Sequence, residues 1–281
     1  MSETGPWGSR DGRVVTPVAP VATAVPASSP GAPNIDKGQS LPWAIASTLL
    51  LGGFIWLATG SGIVAVAALF GLFVHEYGHV LAMNRLGMGP AKIYIIPFLG
   101  GMARGQRNPV SEWHGVLVAL AGPAFGLLAV LPAVGVWLAT GDDAWMLGAF
   151  FIAMINLVNL APAPPLDGSK ALGPVLARID PMVEKAALIA MGALAVWWGV
   201  STGRWILAVF LGIAVFGSLQ RGAWRPGEQK LTWGEAGKSL ALFLITAAAC
   251  GAAALGVLLP IADGSPTQAL SIAARFIGFD R

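Results

Sequence analysis

The chain has one cysteine, three histidines, two tyrosines and few charges. Charged residues fill 11% of its 281 positions, against about 25% in a soluble globular chain. So few charges cannot cover a water-facing surface, which excludes a soluble enzyme, a nucleic-acid binder and a disordered scaffold. The lone Cys250 lies in the apolar run ITAAACGAAALG, so neither a disulfide framework nor a cysteine-built zinc site forms within one chain. What is abundant is apolar: hydrophobic residues make up 56% and the mean hydropathy is +0.70. This is the composition of a polytopic membrane protein, and its net charge of +3 reads as a record of orientation rather than of a nucleic-acid partner.

Residues 1–40 differ from the rest. They are rich in Pro, Ala, Ser and Gly, and prolines at 17, 20, 26, 30 and 33 interrupt any helix. No unbroken apolar stretch follows a basic start, so the segment reads as a disordered cytoplasmic tail and not a cleaved signal. From Leu41 to 260 seven apolar segments follow, at about 41–59, 62–86, 113–139, 145–161, 182–200, 204–219 and 239–260. Most reach the roughly 17–25 residues that a bilayer-crossing helix needs; the fourth and sixth are the shortest. Residues 261–281 read as a short C-terminal tail. The expected fold is therefore all-α and polytopic, with six to seven transmembrane helices.

Basic residues orient these segments. With the tail and every second loop on one side, that side collects 14 of the 17 Lys and Arg residues. Arg204, Arg275 and Arg281 fall opposite, with the acidic pair Asp142 and Asp143. The asymmetry puts the N-terminus in the cytoplasm and the C-terminus outside. Residues 90–105, PAKIYIIPFLGGMARG, are apolar and rich in β-formers but too short to cross. They read as a re-entrant loop or small hairpin, or else as an amphipathic loop on the membrane surface.

Ionisable groups inside a span are expensive and point to function. The second segment holds three within five positions, His75, Glu76 and His79, in FVHEYGHVLAM. This is H-E-x-x-H. Histidines four apart lie on one helix face, a turn from each other, so both rings reach one ion, while the adjacent glutamate handles a proton. Zinc suits imidazole and carboxylate ligands, and catalytic zinc keeps three protein ligands. The alternative is that both histidines only hydrogen-bond between helices.

A third ligand comes from elsewhere. His114 follows Trp113 at the start of the third segment, where a Trp-His pair reads more simply as an interfacial anchor. Asp167, in NLAPAPPLDGSKAL, is the better candidate. Pro162, Pro164 and Pro165 stop the fourth segment and leave Asp167 on an extended stretch near its cytoplasmic end. Both the second and fourth segments run from outside to inside, which brings His75, His79 and Asp167 to similar depth.

HEYGH in one span, joined to N-x-x-P-x-P-P-L-D-G from Asn159, resembles the site-2 protease family of intramembrane zinc metalloproteases. The resemblance covers roughly residues 60–175, a three-helix catalytic core. It implies that His75, His79 and Asp167 bind one Zn2+ per chain and that Glu76 is the general base. It also implies that the loop around Gly100 and Gly101 pairs with an extended substrate strand. The run AGPAFG at 121–126 is similar to the family's third core-span signature, although members often carry an asparagine where this chain has Gly126. With about 20 residues between Gly122 and Trp145 and about 20 after the seventh segment, the expectation is a compact member without a PDZ insertion or a CBS domain. The implied partners are membrane-anchored proteins with a single transmembrane segment and the lipid bilayer itself, and the implied setting is a bacterial inner membrane.

Substrate binding adds weaker candidates. An edge within 93–103 can take a strand by backbone pairing, and Asn159 can offer amide contacts to the same segment. Asn156 and Asn159 read equally as interhelical hydrogen-bonding groups, and Gly122 and Gly126 as sites of close helix approach. Two other functions compete with proteolysis: a polytopic transporter or metal-handling protein, and an inactive descendant that holds membrane clients. A transporter calls for charges spread along a pathway and for related halves; here the charges gather at one depth and no repeat is visible. An intact His75, Glu76, His79 and Asp167 set argues against the inactive descendant.

Overall fold

The computed structural model describes residues 36–97, 100–221 and 229–278. Residues 1–35, 98–99, 222–228 and 279–281, with Arg10, Arg13, Arg225 and Arg281 among them, lie outside the described residues. The chain is mostly helical. In order come α1 (Leu41–Thr59), α2 (Gly62–Arg85), β1 (Lys92–Ile96), β2 (Gly100–Arg104), α3 (Glu112–Gly126) and α4 (Val130–Thr140). Then follow α5 (Ala144–Asn159), α6 (Asp167–Ile179), α7 (Pro181–Ser201), α8 (Trp205–Arg221), α9 (Trp233–Gly256) and α10 (Pro266–Ile277).

Local chemistry sets these boundaries. Ser61 and Ser111 accept backbone N–H bonds from Val64 and His114 at the starts of α2 and α3. Asp180 caps α7 ahead of Pro181, and Thr232 and Glu235 close a capping box on α9. Such caps satisfy N–H groups that a helix start leaves unpaired. Gly60, Gly141 and Gly278 end α1, α4 and α10 in the left-handed conformation, which suits glycine at a helix end.

Each of the seven apolar segments lies on a helix. Among the described residues five helical stretches are long and apolar enough to cross a membrane: α1, α2, α3 with α4, α7 and α9. The third of these is one 29-residue stretch, with a 3₁₀ turn at Leu127–Ala129 between α3 and α4. The fourth and sixth segments, α5 and α8, have 16 and 17 residues, so length and composition support five crossings and do not establish seven. This is the fold of a multi-pass membrane protein.

Within residues 90–105 the described residues form an antiparallel strand pair, β1 with β2, with Ile95 opposite Gly101 and Ile93 opposite Ala103. The hairpin rests with β2 on α2 and β1 on α1. Two helices were not expected. Asp167 stands at the first position of α6, whereas the prolines before it had pointed to an extended stretch. Residues 160–166 are turns and bends, with the Leu166 N–H donating to the Ala163 carbonyl, and Leu166 itself is extended, with ψ of 157°, just before the helix starts. Proline restrains the residues before it, and it leaves the D-G-S-K-A-L sequence free to coil. The segment read as a C-terminal tail holds α10, whose Ala269 and Ala273 are buried in the core.

Two apolar clusters hold the helices together. One joins α2, α4 and α5 through Ala67, Val130, Phe150 and Ile152 to Leu258 and α10. The other joins α3, α6 and α9 through Val116, Leu120, Ala171 and Cys250. The second cluster is what carries α6, and with it Asp167, against α3. The first sets α5 against α2. The two ligand motifs meet where these packings converge.

Candidate metal centre

α2 presents His75 and His79 on one face, as a four-residue spacing requires. Both rings are buried. Their Nε2 atoms lie 3.1 Å apart. Asp167 Oδ2 stands 3.2 Å from the first and 3.1 Å from the second. Asp167 is buried at the start of α6, where the helix dipole favours a carboxylate.

The outer ring nitrogens decide what these three atoms can be. His79 donates from Nδ1 to the Val118 carbonyl at 2.7 Å. His75 donates from Nδ1 to Asn156 Oδ1 at 2.9 Å. The amide's orientation is fixed, because Asn156 Nδ2 donates to the Ile152 carbonyl at 2.8 Å. Each neutral ring therefore carries its proton on Nδ1 and turns an Nε2 lone pair inward. Two lone pairs and a carboxylate oxygen face one another, three acceptors without a donor. Without a cation, one ring must take a second proton to relieve them; a divalent ion satisfies all three together.

The spacing fits the same conclusion. Ligand atoms at about 2.0–2.1 Å from a tetrahedral zinc stand roughly 3.3 Å from each other, close to the observed 3.1–3.2 Å. Among the described residues His75, His79 and Asp167 are the His, Cys, Asp and Glu side chains grouped closely enough to hold a metal. Lys170 Nζ sits 3.6 Å from the other Asp167 oxygen, Oδ1, leaving Oδ2 to the histidines.

Around the donors the walls are tight. A Cβ on Gly122 would overlap the His79 ring and lie 2.9 Å from His75 Nε2; only glycine lets α3 come this close. Glu76 is buried beside the cluster. A Cβ on Gly101 would fall 2.9 Å from its Cδ and Oε1, so the hairpin's second strand lies directly over the glutamate. Gly100 begins that strand with φ of 112°, a conformation suited to glycine.

The other candidates fall elsewhere. His114 is not one of the grouped donors. Asn159 turns its Nδ2 back to the Ile155 carbonyl of its own helix, at 2.9 Å. Asn156 does bond between helices, and its partner is His75, one of the three grouped donors. Sequence reasoning did not find the Val118 carbonyl, which no residue identity announces. Lys170 was also missed, although its i,i+3 spacing from Asp167 becomes meaningful once α6 is known to be a helix.

No family model matches the chain. A curated protein of Synechocystis sp. named "Putative zinc metalloprotease sll0528" is 31% identical over 149 residues, covering 50% of this chain and 38% of that protein. "Putative zinc metalloprotease Rip3" of Mycobacterium tuberculosis is 30% identical over 203 residues, 65% of this chain and 48% of its own length. The chain thus spans less than half the length of these curated relatives. The two motifs, their meeting in space and these relatives agree: in sequence and in site, the chain is similar to the site-2 protease family of zinc metalloproteases.

Proposed function

We propose that the protein is a zinc-dependent endopeptidase that hydrolyses peptide bonds in membrane-anchored proteins, within locally unwound transmembrane segments near the cytoplasmic face. The observation that carries this reading is the buried triangle of His75 Nε2, His79 Nε2 and Asp167 Oδ2. Beside it lies one buried glutamate that is not part of the triangle. His75, His79 and Asp167 would hold one zinc ion, which supplies Lewis acidity when bound, acidifying water and polarising a carbonyl. Glu76 takes the proton from the attacking water and returns it to the leaving amine, the ordinary work of a general base that then turns acid.

A helical substrate hides its peptide bonds in i→i−4 hydrogen bonds, so it must unwind and find new backbone partners. The hairpin offers them on one side. The Gln39 side chain occupies the outer edge of β1: its Nε2 donates to the Ile95 carbonyl at 2.7 Å and its Oε1 accepts the Ile95 N–H at 3.0 Å. In an antiparallel pair, a residue opposite one whose groups point outward also points its own outward. Gly101 and Ala103 therefore turn their N–H and C=O groups to the free edge of β2, next to Glu76. An extended substrate strand adds there. Asn159 is the second contact we assign to it.

The substrates would be proteins with a single transmembrane segment, cut to release a cytosolic part, as in regulated intramembrane proteolysis. The setting would be a bacterial inner membrane with seven crossings and a cytoplasmic N-terminus, which the lysine and arginine asymmetry supports. Purified protein in lipid vesicles with a labelled single-span substrate tests the reading. Glu76→Gln is expected to abolish cleavage while zinc stays near one per chain. Unchanged cleavage in that variant would remove Glu76 from the chemistry, and no cleavage by the unmodified protein across several substrates would favour a client-binding role.

A further inference from the structure

We propose that Asn156 is a positioning residue for the metal centre: it fixes the tautomer and the ring angle of His75, and Gly126 is glycine because it makes space for that amide. The inference rests on the metalloprotease reading and goes beyond it by giving a role to a residue outside both motifs.

The two imidazoles are held in different ways. His79 leans on a backbone carbonyl, Val118, which no substitution removes. His75 leans on a side chain, fully buried Asn156. The relay runs from the Ile152 carbonyl through Asn156 Nδ2 and Oδ1 to His75 Nδ1, so α5 dictates which nitrogen on α2 carries the proton. With an apolar side chain at 156, Nδ1–H is a buried donor without an acceptor. The ring then gains by moving its proton to Nε2, inside the donor triangle, where it competes with the ion. Partners of this kind commonly change metal affinity by about 10–100-fold.

Gly126 supplies the independent observation. It is the last residue of α3, and a Cβ there would overlap Asn156 at Oδ1, with the amide Nδ2 2.7 Å away. Three helices thus meet at one amide: α5 carries it, α2 uses it and α3 leaves it room. An asparagine that served only helix association would need a partner but not a ligand, and its loss would lower stability without selectively weakening metal binding.

Full-length protein in detergent, with zinc affinity measured by competition against a chromophoric chelator, tests this. Asn156→Leu is expected to weaken zinc binding about 10–100-fold, with a melting temperature unchanged in the metal-free state. Asn156→Asp, which keeps the acceptor, is expected to stay within about threefold of wild type. Gly126→Ala, which displaces the amide, is expected to weaken zinc binding with Asn156 intact. At saturating zinc, kcat should recover in Asn156→Leu and KM for substrate should not change. Wild-type affinity in Asn156→Leu overturns the proposal. If that variant does not fold, wild-type affinity in Gly126→Ala overturns it, while a loss there together with retention in Asn156→Asp supports it. Zinc binding by the unmodified chain without cleavage would sink the protease reading and leave this inference standing; no zinc binding at all would sink both.

Discussion

α2 and α7 are both apolar helices of spanning length, 24 and 21 residues, with nearly equal mean hydropathy. Yet 61% of α2's most apolar stretch is buried within the protein, and only 17% of α7's. α2 packs its alanines and glycines against α3 and α5 and buries His75, Glu76 and His79 among them. α7 packs mainly on α8 and α6 and exposes Leu194 and Trp197 where lipid would lie. Hydropathy says that a helix can enter a membrane. What sets α2 apart is three buried ionisable side chains within five mid-helix positions, His75, Glu76 and His79, where α7 buries Glu184 in its first turn.

Substitutions can break this contrast or sharpen it. The largest effect belongs to Asp167→Ala, which removes one of the three grouped donors. Zinc affinity should fall by more than the roughly 10–100-fold typical of lost outer partners, and substrate cleavage should vanish; equilibrium dialysis and gel-based cleavage check both. Next is Gly122→Ala on α3, whose methyl would press on both imidazoles. It should cost about 1–3 kcal/mol of thermal stability and reduce bound zinc, as read from melting curves and elemental analysis. Gln39→Ala is milder. It releases the Ile95 N–H and C=O, worth about 1 kcal/mol, so the Ile95 amide should exchange hydrogen several-fold faster while zinc content holds. On the other side of the contrast, Trp197→Leu in α7 should change stability by less than about 0.5 kcal/mol and leave zinc binding untouched. A large loss there would mean that α7 belongs to the working core.

The sequence made the chemistry more legible than the architecture around it. His75, Glu76 and His79 declared themselves because a charge in an apolar run has few reasons to be there, and helical spacing put the two rings together. Asp167 was legible as the acid that follows the proline run ending the fourth segment, and the structure groups it with both histidines. The hairpin could be read from its β-formers and paired glycines. α6 was hidden because three prolines upstream masked a helix whose apolar face covers only one side. Asn156 was visible as a buried amide but ambiguous, since an amide in a bundle bonds to whatever faces it, and only the fold puts His75 in that place. Gln39 capping β1 could not have been read at all, because the contact spans 56 residues and carries no pattern.

On this account one helix, α2, and the start of a second, α6, would hold one divalent ion between them. Elemental analysis of metal in the purified full-length protein, beside His79→Ala and Asp167→Ala prepared identically, tests it most directly. About one zinc per chain in the unmodified protein and almost none in either variant is the predicted result. No zinc in the unmodified protein, or the same zinc content in all three, would contradict it.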